Sequence, residues 1–226
     1  MVKTTTYRTH RSRASLVAQH TVLRNTYFLL GLTLLFSGAM AFLGMVLSNP
    51  INPLISFIGM IGLLYAVQYN ANNSLGLLLT FAFTGFMGYT LGPMLSIITH
   101  SFANGGAIIT VSAATTGCIF LGLSTYVLTT KKDFSFMGGM LFVMLLGGIL
   151  LSLFAMLTAA PVMFLVVNAL MILVFSGLIM YHTSEILHGG ERNYILATIS
   201  LYLALYNLFI YLLQIFMIMG GGSNRD

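Results

Sequence analysis

The strongest constraint on this chain is the length of its uncharged segments. No Asp, Glu, Lys or Arg occurs in the 106 residues between Arg24 and Lys131, and none occurs in the 51 residues between Asp133 and Glu185. A single membrane-spanning helix needs about 20 apolar residues, so these runs hold several spans. Only 6% of the residues are charged, against about 25% in soluble domains. The composition excludes a water-soluble globule and indicates a polytopic membrane protein.

Clusters of Asn, Pro, Gly, Ser and charged residues divide the apolar sequence at positions typical of loops. Seven of the remaining segments are long enough to span a bilayer. They cover residues 26–47, 51–69, 75–98, 107–129, 135–157, 161–183 and 194–219. We therefore predict an all-α membrane protein: a seven-transmembrane-helix bundle over 25–219, an N-terminal tail over 1–24 that its polar composition predicts to be disordered, and a short C-terminal tail over 220–226.

Three alternatives bear on this division. The first segment contains Ala39-Met40-Ala41, which is similar to the cleavage site of a signal peptide, but its apolar run continues to Leu47 and is long enough to span. The second segment contains Pro53 and Gln68 and could form a re-entrant loop instead of a span. A transmembrane β-barrel is excluded, because barrel strands alternate apolar and polar residues while these segments are apolar on all sides.

The basic residues predict an orientation. If the N-terminus is cytoplasmic, eight of the nine Lys and Arg residues lie on the cytoplasmic side, and the positive-inside rule then places the C-terminus on the opposite side. The eight are Lys3, Arg8, Arg11, Arg13 and Arg24 in the tail, Lys131 and Lys132 after the fourth segment, and Arg192 after the sixth. Tyrosines at the same predicted ends agree with an interfacial aromatic belt.

Polar residues of the last segment follow a helical period. They recur every three or four residues and form one stripe on an α-helix, which predicts that this helix lies against others or at the centre of the bundle. The stripe contains Ala197, Ser200, Ala204, Asn207, Tyr211 and Gln214. Two interpretations remain open: hydrogen bonds between helices, each worth roughly 0.6–2 kcal/mol, or a polar path for ions.

The sixth segment ends in a second polar group. His182 and Glu185 are one helical turn apart, and so are Glu185 and His188 if the helix continues. The two histidines diverge by about 120° at 100° per residue, so the spacing argues against a metal site. A pH-responsive cluster is the functional alternative to solvated residues at the interface, because His titrates near neutral pH and a neighbouring carboxylate stabilises its charged form.

The sequence lacks the residues that several classes of enzyme require. The only aspartates, Asp133 and Asp226, lie outside the predicted spans, so an intramembrane aspartyl protease has no carboxylate pair. The sequence contains no H-E-x-x-H motif and no phosphate-binding loop. The single cysteine, Cys118, forms no internal disulfide. We therefore expect no catalysis, no cofactor and no metal.

Small residues such as Gly85, Gly88 and Gly92 are typical of close helix packing in membranes.

Four stretches of sequence together resemble the Bax inhibitor-1 family, in an order and spacing that cover nearly the whole chain. They are HTVLRNTYFLL (20–30), AFTGFMGYTLGP (82–93), YVLTTKKDFSFMGGML (126–141) and HGGERNYILATISLYLALYNLF (188–209). The resemblance implies a bundle in which the C-terminal helix is central and surrounded by the other six. It also implies a bacterial inner-membrane location.

The resemblance implies two functions. Some bacterial relatives bind the membrane-anchored ATP-dependent protease FtsH and restrain it, and their cytoplasmic tail matters for being engaged by the protease. Residues 1–24, with the five basic side chains named above, are the corresponding candidate in this chain. Other relatives behave as pH-sensitive calcium or cation leak channels, which makes calcium the alternative partner.

The channel function of the family depends on two acidic residues. By resemblance, the sixth-helix acidic position falls on His182 and the seventh-helix aspartate of the S-L-Y-L-D pattern falls on Ala204. Both carboxylates are therefore absent. Residues 194–225, which include the whole seventh segment, contain no Asp or Glu. The substitutions favour the protease modulator over the channel. The candidate polar core and pH-sensing residues remain His182, Glu185, His188, Ser200, Asn207, Tyr211 and Gln214.

Overall fold

Loop-forming residues interrupt the apolar sequence where expected, and the chain between them is helical. The computed structural model describes residues 3–47, 51–158 and 161–221, with side chains described over 19–47, 51–158 and 162–220. Within these residues there are seven helices, each with a segment long and apolar enough to cross a membrane. They are α1 (Lys3–Leu47), α2 (Pro53–Asn70), α3 (Ser74–Ser101), α4 (Gly105–Thr130), α5 (Met137–Thr158), α6 (Pro161–His188) and α7 (Tyr194–Gly221). The predicted seven-helix membrane fold is confirmed.

Two helices continue beyond their predicted ends, and near each new end a histidine ring contacts a carbonyl oxygen one turn earlier. Helix α3 reaches Ser101, and the His100 ring nitrogen lies 2.7 Å from the Ser96 carbonyl oxygen. Helix α6 reaches His188, whose Nδ1 lies 2.9 Å from the carbonyl oxygen of Ser184. The stretch from Ser184 onward, predicted as a loop, therefore begins with a further helical turn.

Helix α1 begins at Lys3, well before the first predicted span, and the division into a tail and a bundle at residue 24 stays a prediction. A helix already formed in the membrane extends one residue at a time without a new nucleation step, which is the costly part of helix formation. The side chains of 3–18, and residues 1–2 and 222–226 of the predicted tails, lie outside the described part of the chain.

Helix α2 is continuous, so its residues form no re-entrant loop. Pro53 is its first residue, where a missing N–H costs no helical hydrogen bond. The side chain of Asn52 caps the same end and accepts a hydrogen bond of 2.9 Å from the Leu54 amide. The helix has 18 residues, which at 1.5 Å per residue gives about 27 Å, close to the thickness of the hydrocarbon core.

Helix α7 is central, as predicted. No residue between Tyr194 and Met217 is exposed, whereas every other helix presents several exposed apolar side chains. It packs mainly on α1, α3, α4 and α6. Helix α2 lies mainly against α3, and α5 lies mainly against α6.

The most extensive helix pair is α1 with α3, and glycines allow its close approach. A Cβ atom added at Gly88 would collide with the carbonyl oxygen of Ser37, and one added at Gly92 would collide with the backbone of Gly44. Apolar burial gives no net drive between helices in lipid, so such contacts supply much of the attraction. The predicted role of these glycines in helix packing is confirmed, and α1 is their partner.

Pro93 adds a second reason for this approach. Proline donates no N–H, so the Tyr89 carbonyl one turn earlier loses its usual helical partner. That carbonyl lies against Gly44 of α1, at a distance that a side-chain Cβ would not permit. The carbonyl that Pro93 leaves without a helical partner therefore lies where the missing side chain of Gly44 makes room for it.

We expect Gly88→Leu and Gly92→Leu to destabilise the bundle, because the new side chain must push the α1 backbone away. Overpacking of this kind typically costs about 1–3 kcal/mol. Thermal unfolding in mild detergent should show a lower midpoint for both variants. Gly31→Leu is the matched control, since nothing lies within 4 Å of a Cβ at that position. Equal midpoints in all three variants would contradict this account.

Candidate functional site

The polar stripe of α7 lines a cavity between α5, α6 and α7. The cavity has a volume of about 460 Å³, and its lining combines apolar side chains of α5 and α6 with four of the predicted site residues. These four are His182, Ser200, Asn207 and Tyr211. Gln214 lies outside the lining, half-buried farther along α7. Sequence periodicity therefore brings most of the predicted polar core to one place.

The two positions at which the family resemblance places acidic residues meet in this cavity. His182 of α6 and Ala204 of α7 both contribute to its wall. A methyl group occupies the α7 side, so the site has one titratable imidazole and no carboxylate pair. The remaining polar lining comes from a hydroxyl, an amide and a phenol.

The cavity's polar groups have local partners. The Asn207 side-chain amide donates a hydrogen bond of 2.8 Å to the Leu203 carbonyl of its own helix. The Tyr211 ring stacks on Phe175 of α6 at a centroid distance of 5.7 Å. The stripe suggested hydrogen bonds to neighbouring helices. Asn207 instead bonds within α7, and Tyr211 makes a ring contact with α6.

His182 and His188 belong to separate surroundings. His188 is exposed, and its Nε2 lies 3.2 Å from the carbonyl oxygen of Lys131 in the α4–α5 loop. Glu185 is half-buried and interacts with the side chain of Tyr181. Tyr181 also contacts His182, with 5.2 Å between the ring centroids. Of the predicted group, His182 and Glu185 therefore share Tyr181 as a neighbour, whereas His188 contacts the α4–α5 loop.

His188 instead belongs to a cluster that holds the α4–α5 loop against the end of α6. The backbone amide of Phe134 donates a hydrogen bond of 2.8 Å to Ser184 Oγ. Ser184 Oγ also lies 3.4 Å from Asp133 Oδ1. Hydrogen bonds from the side chain and backbone of Ser135, helped by the nearby His188, lower the pKa of Asp133 below its ordinary value. The loop therefore carries an ionised carboxylate at neutral pH.

A second polar contact joins two loops at the same end of the bundle. The Asn193 side chain, just before α7, donates hydrogen bonds to the Ala71 carbonyl at 2.9 Å and to Asn72 Oδ1 at 3.0 Å. The Asn193 Oδ1 atom accepts a hydrogen bond from the Ile195 amide at 2.8 Å and caps α7. One side chain thus fixes the start of the central helix to the α2–α3 loop.

One buried polar contact between helices was absent from the prediction. Tyr202 of α7 is 1% exposed, and its hydroxyl donates to the Thr84 carbonyl of α3 at 3.2 Å. Ser37 of α1 lies 2.7 Å from the same hydroxyl. Since the carbonyl can only accept, Ser37 is the donor to Tyr202. Tyr202 lies off the predicted stripe, and the only sequence signal was a phenol within a span, which must have a partner when buried.

Of the predicted tail residues, Arg24 alone has a described side chain. It is exposed and lines an opening of about 550 Å³ beside His20, Tyr27 and, from α4, Leu128. The side chains of Lys3, Arg8, Arg11 and Arg13 lie outside the described part of the chain. Among the side chains that are described, no group of three or more His, Cys, Asp or Glu residues is arranged to hold a metal ion.

Comparison with known proteins gives one family over almost the whole bundle. The family described as inhibitor of apoptosis-promoting Bax1 matches residues 19–221. The chain is 46% identical over 218 residues to the modulator of FtsH protease YccA of Escherichia coli, covering 95% of each chain.

Two further relatives extend the similarity to other bacteria. An uncharacterized protein of Pseudomonas aeruginosa is 50% identical over 204 residues, or 88% of this chain and 90% of its own. An uncharacterized membrane protein of Vibrio cholerae is 46% identical over 207 residues, or 91% of each chain.

We expect Ser184→Ala to loosen the α4–α5 loop, because the Phe134 amide loses its acceptor. A hydrogen bond contributes about 0.5–1.5 kcal/mol, so amide hydrogen exchange across 131–136 should accelerate roughly two- to tenfold. Mass spectrometry of the exchanged protein measures this rate. Ser101→Ala, at an exposed serine of α3, is the control. Equal exchange in both variants would show that Ser184 does not anchor the loop.

Proposed function

The chain belongs to the Bax inhibitor-1 family, and from that premise we propose that it associates with and modulates the membrane-bound ATP-dependent protease FtsH. The observation that carries the proposal is the similarity to the E. coli modulator, which extends over 95% of both chains. A relationship of this length includes every helix rather than one motif. The multi-pass bundle, with seven apolar helices, is the architecture that such a membrane partner requires.

The proposal includes an orientation. With a cytoplasmic N-terminus, the tail and the α4–α5 and α6–α7 connections carry eight of the nine basic residues on the cytoplasmic side. The contacts of His188 with the α4–α5 loop and of Asn193 with the α2–α3 loop support the assignment of these connections to one face. The C-terminus then lies in the periplasm.

The proposed role needs no catalysis or cofactor in this chain. The relatives named above are a modulator and uncharacterized proteins rather than enzymes. A modulator needs a surface that the protease recognises and a segment that the protease can engage. We assign the segment that the protease engages to residues 1–24. Its basic side chains Lys3, Arg8, Arg11 and Arg13 precede the first span.

The first experiment is an affinity purification of the tagged full-length protein from mild detergent, blotted for FtsH. We expect selective recovery of the protease. An unrelated seven-helix membrane protein and an empty vector are the controls. Absence of FtsH from a folded, monodisperse preparation would overturn the proposed association.

We expect deletion of residues 1–20 to leave the bundle folded but to slow degradation of the protein by FtsH, because the protease loses the accessible segment. A chase of the pre-formed protein in cells with and without FtsH measures the half-life. A variant with residues 2–18 in scrambled order keeps the tail's length and charge. Unchanged turnover of the truncated protein would contradict the assigned role of the tail.

A second candidate function, a pH-sensitive calcium or cation leak, rests on the cavity beside His182. Residues of α5, α6 and α7 surround it, and the two positions of the family's acidic pair both line it. Without carboxylates, a cation would depend on His182, Ser200, Asn207 and Tyr211 for polar contacts. The sequence and the cavity lining therefore favour this function less than protease modulation.

If the leak exists, His182→Ala and Asn207→Ala should change ion flux in proteoliposomes and its dependence on pH, because both side chains line the cavity. Flux is measured with an entrapped calcium indicator at about pH 6 and pH 8, on either side of the ordinary titration range of histidine. Thr129→Ala, at an exposed residue of α4 outside the cavity lining, is the control. Wild-type flux equal to that of empty liposomes would exclude the leak.

A further inference from the structure

A groove separates α1 from α4 on the side of the bundle that faces lipid. Both helices pack on α7, but they make little contact with each other. The groove encloses about 560 Å³, and Tyr206 and Phe209 of α7 contribute to its floor. Its rim includes Phe42, which is 63% exposed, so the groove is continuous with the lipid-facing surface of α1.

Small residues keep this groove open. Gly38 of α1 and Gly106 and Gly117 of α4 line it, and a Cβ added at any of the three would meet nothing within 4 Å. These glycines differ from Gly88 and Gly92, whose missing side chains admit a neighbouring helix backbone. In the groove the missing side chains leave space that no described part of the chain fills.

The length of the groove indicates which kind of ligand it can hold. Along α1 it extends from Leu34 to Met45, which at 1.5 Å per residue is about 16 Å, close to half of the roughly 30 Å hydrocarbon core. The groove's inner end is at Leu34, near the middle of the Gln19–Leu47 spanning segment of α1, and at Phe120, near the middle of α4. Beyond this point the Tyr27 ring stacks on Phe120, with a centroid distance of 5.7 Å, and joins α1 to α4. A spanning helix from another protein needs a groove along the full bilayer, whereas this one is closed near mid-depth.

We propose that the α1–α4 groove binds one phospholipid acyl chain, from the leaflet that borders the C-terminal end of α1 and the N-terminal end of α4. A chain from that leaflet reaches about the middle of the bilayer, at the level of Leu34 and Phe120, where the groove ends. The apolar walls suit methylene groups. Because the groove opens sideways, lipid enters from the bilayer without passing through water.

The absence of tryptophan from the chain allows a direct test. Phe42→Trp places a fluorophore at the groove rim, and Phe154→Trp places one on the exposed outer face of α5, also close to the end of its helix. The full-length variants in detergent are titrated with phospholipid brominated on its acyl chains. We expect saturable quenching at equimolar lipid for Phe42→Trp and only gradual quenching for Phe154→Trp.

Filling the groove supplies the second measurement. Adding Gly117→Leu to the Phe42→Trp variant should abolish the saturable quenching. Gly122→Leu, on the same helix at a position where a Cβ also meets nothing within 4 Å, should leave it unchanged. Circular dichroism and size-exclusion chromatography confirm that both double variants fold.

Three results would overturn the proposal. Quenching of the Phe42→Trp reporter could be no steeper than that of the α5 control. It could also persist in the folded Gly117→Leu variant. The protein could instead be a dimer that dissociates when Gly117 is replaced, which would make a second copy of the chain the occupant of the groove.

Discussion

The close approach of the α1 and α3 backbones is the contact on which the rest of the bundle depends. In lipid the hydrophobic effect does not distinguish a helix packed on a helix from one packed on acyl chains, so association requires close contact and hydrogen bonds. Gly88 and Gly92 bring α3 onto the backbone of α1. This approach places Ser37 and the Thr84 carbonyl where the Tyr202 hydroxyl of α7 can reach both. The position of the central helix therefore follows from the fit of the first and third.

Sequence reasoning succeeded where one property decides the structure. Charge-free length determined the seven spans, and the polar period of the last span identified the central helix. Sequence reasoning could not predict that α2 lies mainly against α3 and α5 mainly against α6. In a bilayer the lipid and the protein interior are both apolar, so a helix has no polar face to distinguish them. The sequence pattern did not indicate that the helix of the first span begins at Lys3, because the end of a helix depends on the helix that it extends as well as on local composition.

The candidate site, like the fold, could be predicted only in part from the sequence. The alignment of Ser200, Asn207 and Tyr211 on one face of α7 follows from helical geometry, and they line one cavity with His182. The neighbours of His188 and Asn193 could not be predicted, because they are loop backbone atoms distant in the sequence. Such contacts depend on how the helices are arranged around α7, and no local pattern encodes them.

The interlocked backbones of α1 and α3 also have a mechanical consequence. A force applied along α1 from its N-terminal end acts as a shear load on this helix pair. For α1 to slide, Gly88 and Gly92 would have to pass the side chains that flank Ser37 and Gly44 on the opposite helix. Resistance to being drawn out of the membrane therefore depends on the shape of two helices together. The apolar character of α1 alone does not determine it.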